Sequence, residues 1–151
     1  MIESSDKLSV SLRPKPVLTV TRTSLSREKL IYILVCNEKR RYHKGSSKVV
    51  YIGRTEKGIA RIAKSAAYRA DKIFGKQGVT TFEARVVTFR KRRGEKSRTK
   101  LERAFLLAFK ELYGELPLCN EQLKRKRTTD EFTKYFNKRQ LQHILKKLGT
   151  R

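Results

Sequence analysis

Two cysteines and two histidines are all that this 151-residue chain offers in thiol or imidazole chemistry. Cys36 and Cys119 lie far apart, and neither neighbours another Cys or a His, so neither a disulfide framework nor a zinc-site spacing is present. His43 and His143 are 100 positions apart with no carboxylate pattern around either, and they read as exposed polar side chains rather than a catalytic pair. No run approaches the ~18–20 consecutive apolar residues of a membrane span. The opening Met1-Ile2-Glu3-Ser4-Ser5-Asp6 lacks the basic head and apolar centre of a secretory signal. A soluble, intracellular protein is expected, cytoplasmic or nucleoid-associated, with no membrane partner. Acidic residues are scarcest of all, 14 against 38 Lys and Arg.

What is present follows from that imbalance. A net charge of +24 demands an anionic partner to offset self-repulsion. The excess is not a detachable tail: residues 30–120 alone hold 22 basic and 8 acidic side chains, so the cations must be carried on a folded surface. Apolar residues make up 38%, with 7 Phe and 6 Tyr, enough for a single core.

Residues 1–29 read as an N-terminal arm containing Pro14, Pro16 and a β-prone stretch, Val17-Leu18-Thr19-Val20-Thr21, which can add as an edge strand or stay apart from the fold. The runs Leu30–Val35 and Lys48–Gly53 are buried strands by composition, joined across a polar basic loop, Asn37–Ser47. Thr55 is placed to cap a helix with Ile59, Ile62, Ala63, Ala66, Ala67 and Ala70 at helical spacing. Val79–Phe89 alternates as a third strand. A second helix starts at Ser97 or Thr99 and stops at Gly114, and a short extended piece, Leu116–Asn120, follows. Thr128-Thr129-Asp130-Glu131 fits a capping box for a last helix bearing Phe132, Tyr135, Phe136, Leu141, Ile144, Leu145 and Leu148. The fold class is α/β in the broad sense, α+β: a small mixed β-sheet of about three strands flanked by helices. Residues 30–120 form its body, and 121–151 form a basic helical extension packed on or next to the core.

Along this order, Leu30-Ile31-Tyr32 and Tyr51-Ile52-Gly53 resemble the paired signature of the GIY-YIG nuclease superfamily. Arg61, eight residues after Gly53, is similar in placement to that family's helix arginine. Glu102 resembles its metal-binding glutamate, and Asn120 the asparagine beyond the following helix. The resemblance spans about residues 30–120. It departs in three places: Leu30 replaces the first glycine, the segment 33–50 is longer than usual, and Ser65 stands where many members have His or Tyr, with Tyr68 the candidate stand-in.

The resemblance implies a Mg²⁺-dependent (or Mn²⁺-dependent) DNA endonuclease leaving 5′-phosphate and 3′-hydroxyl ends, with Tyr32 as general base and Tyr51 assisting. The residue types suit that chemistry. Phosphodiester hydrolysis needs an activated water and cations for the charge on the transition state. Glu102 is a hard oxygen ligand of the kind Mg²⁺ uses singly or in pairs. Arg61 offers a two-pronged donor fork for phosphate. Structural alternatives stand beside each role: both tyrosines as half-buried packing residues, Glu102 as N3 of a capping box with Thr99, Arg61 as a solvated cation, and Asn120 as a turn residue. Arg40, Arg41, Lys44 and Arg54, the run Arg90, Lys91, Arg92, Arg93, and the run Lys124, Arg125, Lys126, Arg127 read as phosphate contacts that position a duplex, or as solvated surface. The expected partner is double-stranded DNA, with monomer and homodimer both open. The rival reading is a non-catalytic basic nucleic-acid-binding protein of ribosomal or architectural type.

Overall fold

A computed structural model of the chain describes residues 7–19, 21, 30–88, 97–121 and 136–150. Among the described residues, three strands and three helices follow one another as β1 (Leu30–Tyr42), β2 (Gly45–Thr55), α1 (Ile59–Phe74), β3 (Phe82–Val87), α2 (Ser97–Tyr113) and α3 (Lys138–Thr150). β1 is central in the order β2-β1-β3, and both pairings are antiparallel. This is a small α+β fold.

Because side chains alternate along a strand, the sheet sorts its own residues to two faces. Ile31, Ile33, Val35, Val49 and Ile52 meet Leu101, Phe105 and Phe109 of α2 and Leu141 and Leu145 of α3. Tyr32, Leu34, Cys36 and Val50 meet Ile62 and Ile73 of α1 on the other face. α3 therefore belongs to the main core, and its fully buried Leu145 contributes ~1.5–3 kcal/mol. Gly149 lets it approach β2, since a Cβ there would stand 2.5 Å from Oγ of Ser47.

A β-bulge decides where Tyr51 points. Leu34 pairs with Tyr51, yet Val35 pairs with Val49, which leaves Val50 as an extra residue in β2. Strict alternation would have put Val49 and Tyr51 on one face. With the bulge, Val49 stays with the α2 side while Tyr51 joins Tyr32 on the α1 side.

Several expectations change. Asn37–Ser47 is not a long loop: strand pairing continues to Tyr42 and Gly45, and only His43 and Lys44 turn the hairpin. The tip is held because Tyr42 packs edge-on against Phe109 at 5.0 Å and Lys44 N–H donates to the Tyr113 carbonyl at 2.9 Å. Thr55 does not cap α1. It ends β2 and its hydroxyl accepts from Lys57 N–H at 3.0 Å, while the helix begins after Gly58. The third strand runs Phe82–Val87: Thr80 and Thr81 N–H bond the Asn37 side chain instead of a strand, and Phe89 lies outside the described residues. α3 starts at Lys138 with Asn137 accepting from Arg139 N–H, and residues 136 and 137 are not helical; the capping box at 128–131, Phe132 and Tyr135 lie outside the described residues. Within the arm, residues 7–19 have no regular structure, and Val20 lies outside the described residues. Among the described residues no helix is long and apolar enough to cross a membrane.

Candidate active site

Tyr32 sits opposite Gly53 across the β1/β2 ladder, and Tyr51 precedes Gly53 by two residues on the same face. Both rings lean over the glycine. A Cβ at position 53 would stand 2.6 Å from Cε1 of Tyr51 and 2.8 Å from Cζ of Tyr32, so only glycine admits the pair. The ring centroids are 5.8 Å apart at a 47° tilt.

From the α1 side, Ser65 and Arg69 close the group. The Tyr32 hydroxyl donates to Ser65 Oγ at 2.6 Å, and the same oxygen accepts from Arg69 Nη1 at 2.8 Å. The Arg69 guanidinium lies 3.7 Å from the Tyr51 ring centroid, a cation–π contact. Four side chains are thereby linked in a chain from Tyr32 to Ser65 to Arg69 to Tyr51. Tyr32 is 2% exposed, which fixes its ring as well as its hydroxyl.

Asn120 reaches the opposite edge of β2. Its Oδ1 accepts from Ile52 N–H at 2.9 Å and its Nδ2 donates to the Ile52 carbonyl at 2.8 Å, imitating a neighbouring strand. Cys119 N–H adds a bond to the carbonyl of the bulged Val50 at 2.9 Å. Asn120 thus positions the backbone between Tyr51 and Gly53 and is more than a turn residue.

Glu102 arrives on the first turns of α2, with its carboxylate 3.6 Å from Arg54 Nε at the end of β2 and its side chain 26% exposed. Burial raises its pKa, and the Arg54 charge partly offsets the rise. Tyr51 is pushed up to about 12, first by burial and then by the neighbouring Tyr32 hydroxyl, against the lowering effect of Arg69.

Tyr32 and Tyr51 thus meet at Gly53, Asn120 at Ile52 and Glu102 at Arg54, all on the last residues of β2. Arg61 is not in contact with them: it is exposed on the first turn of α1, facing solvent two turns before Arg69. Tyr68 is 81% exposed. Ser65 itself, not Tyr68, bonds the Tyr32 hydroxyl. Arg54 borders the site, Arg40 stacks over Tyr42, and Arg41 and Lys44 are exposed near the hairpin tip; Arg90–Arg93 and Lys124–Arg127 lie outside the described residues.

No family model, curated protein or solved structure matches the chain.

Ser65, named in the sequence only as a departure from the family pattern, and Arg69, given no role there, carried a faint signal. Ile62, Ser65, Arg69 and Ile73 follow three- and four-residue steps along one face of α1, whose ends are buried. A serine and an arginine in an otherwise apolar stripe have to find polar partners beneath it. Among the described residues no group of three or more His, Cys, Asp and Glu side chains is placed to hold a metal ion. A single carboxylate is what Mg²⁺ commonly takes from protein, with waters and substrate phosphate completing its shell. The half-buried Glu102, whose own burial disfavours an unpaired charge, fits that demand.

Proposed function

We propose that the chain is a Mg²⁺- or Mn²⁺-dependent endonuclease acting on double-stranded DNA. The observation that carries this reading is the meeting of Tyr32 and Tyr51 over Gly53, with Glu102 held at Arg54 near the end of the same strand, in a chain of net charge +24. The resemblance to the GIY-YIG superfamily supports the roles.

Water attacks the phosphorus in line with the departing 3′-oxygen, and its proton passes to Tyr32 in the phenolate form. Ser65 suits that task because its hydroxyl rotates: it accepts from the neutral phenol and can donate to the phenolate. Arg69 donates to the same Ser65 oxygen and so holds the serine in place beneath the Tyr32 hydroxyl. Tyr51 orients the water or a non-bridging oxygen, and the exposed Arg61 meets the phosphate from solvent with its planar fork. Glu102 would hold the divalent ion. When bound, that ion supplies Lewis-acid stabilisation of the charge on the phosphoryl and leaving oxygens.

A second reading has its own support: a tyrosine that is buried and hydrogen-bonded as Tyr32 is also serves a protein that only binds nucleic acid. Supercoiled plasmid incubated with and without Mg²⁺ separates the two, the nuclease giving nicked or linear product only with the ion. Glu102→Gln should abolish cleavage, leave duplex binding within a few-fold, and keep or raise the melting temperature, because a neutral amide avoids the desolvation of the carboxylate. Wild-type cleavage by that variant removes the metal role from Glu102.

A further inference from the structure

The solvent side of α1 has two unlike flanks. Steps of three, four and four residues set Arg61, Lys64, Tyr68 and Lys72 in one row along the helix, and all four are exposed. The other flank carries the exposed Ala60, Ala63, Ala67 and Phe74 and no charge. Asp71, the one acidic residue of the helix, lies at the margin of the basic row away from Ser65. Going round the helix the other way, Ser65 and Arg69 stand between the row and the buried Ile62 and Ile73. The basic flank is therefore the one that borders the tyrosine pair. Tyr68 is 81% exposed, the most open aromatic ring among the described residues. Arg69 connects it to the site, its guanidinium lying 5.5 Å from the Tyr68 ring centre and 3.7 Å from that of Tyr51. Cations in a row suit successive phosphates, and an open ring among them suits the flat face of a base that has no neighbour to stack on.

We propose that this row holds a single-stranded stretch of DNA beside the tyrosine pair: an unpaired base stacks on Tyr68, and Arg61, Lys64 and Lys72 hold the phosphates around it. The substrate class is then a duplex with a single-stranded flank, cut near the junction. A fully paired duplex keeps its bases stacked on one another and offers this row phosphates but nothing for the ring. Cleavage at the junction rests on the nuclease reading; stacking on Tyr68 does not.

The test uses the full chain in EDTA, so that nothing is cut, and reads anisotropy on fluorescent duplexes of about 20 base pairs that are blunt, tailed with about five thymidines, or tailed with about five abasic sites, which keep the phosphates and lack the bases. Tails are placed at the 5′ end and, separately, at the 3′ end. At about 100 mM salt the wild type should hold the thymidine tail ~5-fold or more tightly than the abasic tail at one end or both. Tyr68→Ala should close that gap while binding the blunt duplex within about 2-fold of wild type and melting at the same temperature, because the ring is exposed. Tyr68→Trp keeps a stacking face and should keep the gap. Lys64→Gln/Lys72→Gln should weaken both tails alike and take about two from the slope of log affinity against log salt. No gap in the wild type at either end, a gap that survives Tyr68→Ala, a gap lost in Tyr68→Trp, or wild-type binding of the tails by the double lysine variant overturns the proposal. An RNA tail held more tightly than the DNA tail overturns the choice of DNA. With Mg²⁺ added, a protein that shows the gap but nicks neither plasmid nor tailed duplex ends the nuclease reading and leaves the stacking on Tyr68 standing, and one that nicks plasmid while showing no gap does the reverse.

Discussion

At the scale of single residues, the hydroxyls of two tyrosines do different work. Tyr32→Phe keeps the ring and loses one hydrogen bond to a serine that retains Arg69 as donor, so stability should fall by no more than ~1 kcal/mol. If Tyr32 is the base, single-turnover cleavage at saturating Mg²⁺ should fall ~10²–10⁴-fold. A stable variant cutting within a few-fold of wild type makes Tyr32 a packing residue. Tyr42 is buried on the other face, donating to the Val49 carbonyl at 2.7 Å and accepting from Leu118 N–H. Burial holds its folded pKa well above the usual 10. Its hydroxyl therefore stabilises the fold fully below about pH 10, where the unfolded tyrosine begins to ionise, and that contribution shrinks as pH rises toward the folded value. Tyr42→Phe should be less stable than wild type by about 1–2 kcal/mol at pH 8, and thermal melts from pH 8 upward should show the gap closing above about pH 10. A gap constant across that range would mean that the hydroxyl titrates alike in both states.

At the scale of elements, α3 is the clearest case of a segment outside the resemblance that the fold nevertheless needs. Leu145 is 0% exposed between α2 and the sheet, so Leu145→Ala should cost about 2–5 kcal/mol in denaturant melts, and a loss under about 1 kcal/mol would show that α3 is peripheral. Its apolar stripe was legible from Leu141, Leu145 and Leu148, as were the strand character of Leu30–Val35 and the stop at Gly114, whose φ of 80° suits glycine. Other features were hidden for physical reasons. The bulge at Val50 leaves no mark in a run of apolar residues, because periodicity reports alternation and an inserted residue only shifts its phase. The hairpin tip looked like a loop because charge there outweighs hydrophobicity; what keeps it in strand form is one residue, Tyr42, inserted among aromatics that are distant in sequence. Thr55 resembled a helix cap because a side chain bonding the amide two residues on makes the same local contact in a turn as in a cap. Tyr32, Tyr51, Glu102 and Asn120 could be picked out singly, and helical spacing puts Ser65 and Arg69 on one face of α1, but their meeting with the two tyrosines depends on how α1 is laid across the sheet.

At the scale of the whole molecule, the sheet is asymmetric in a way that bears on more than catalysis. A three-stranded sheet has two outer edges, and rows of unpaired backbone groups there invite strands from other molecules. On β2 the invitation is withdrawn: the Asn120 amide occupies both backbone groups of Ile52, and Cys119 N–H takes the Val50 carbonyl. The asparagine that steadies the site thus also acts as a stopper against templated growth of the sheet on its side. Charge of +24 keeps copies apart in dilute salt, but DNA or high ionic strength removes that protection, and the stopper then matters most. Asn120→Ala should accordingly scatter light and bind an amyloid dye sooner than wild type when stirred at about 0.5 M salt, and the two should be alike at low salt, where repulsion suffices. Equal lag times at high salt would mean that the edge is guarded by something else.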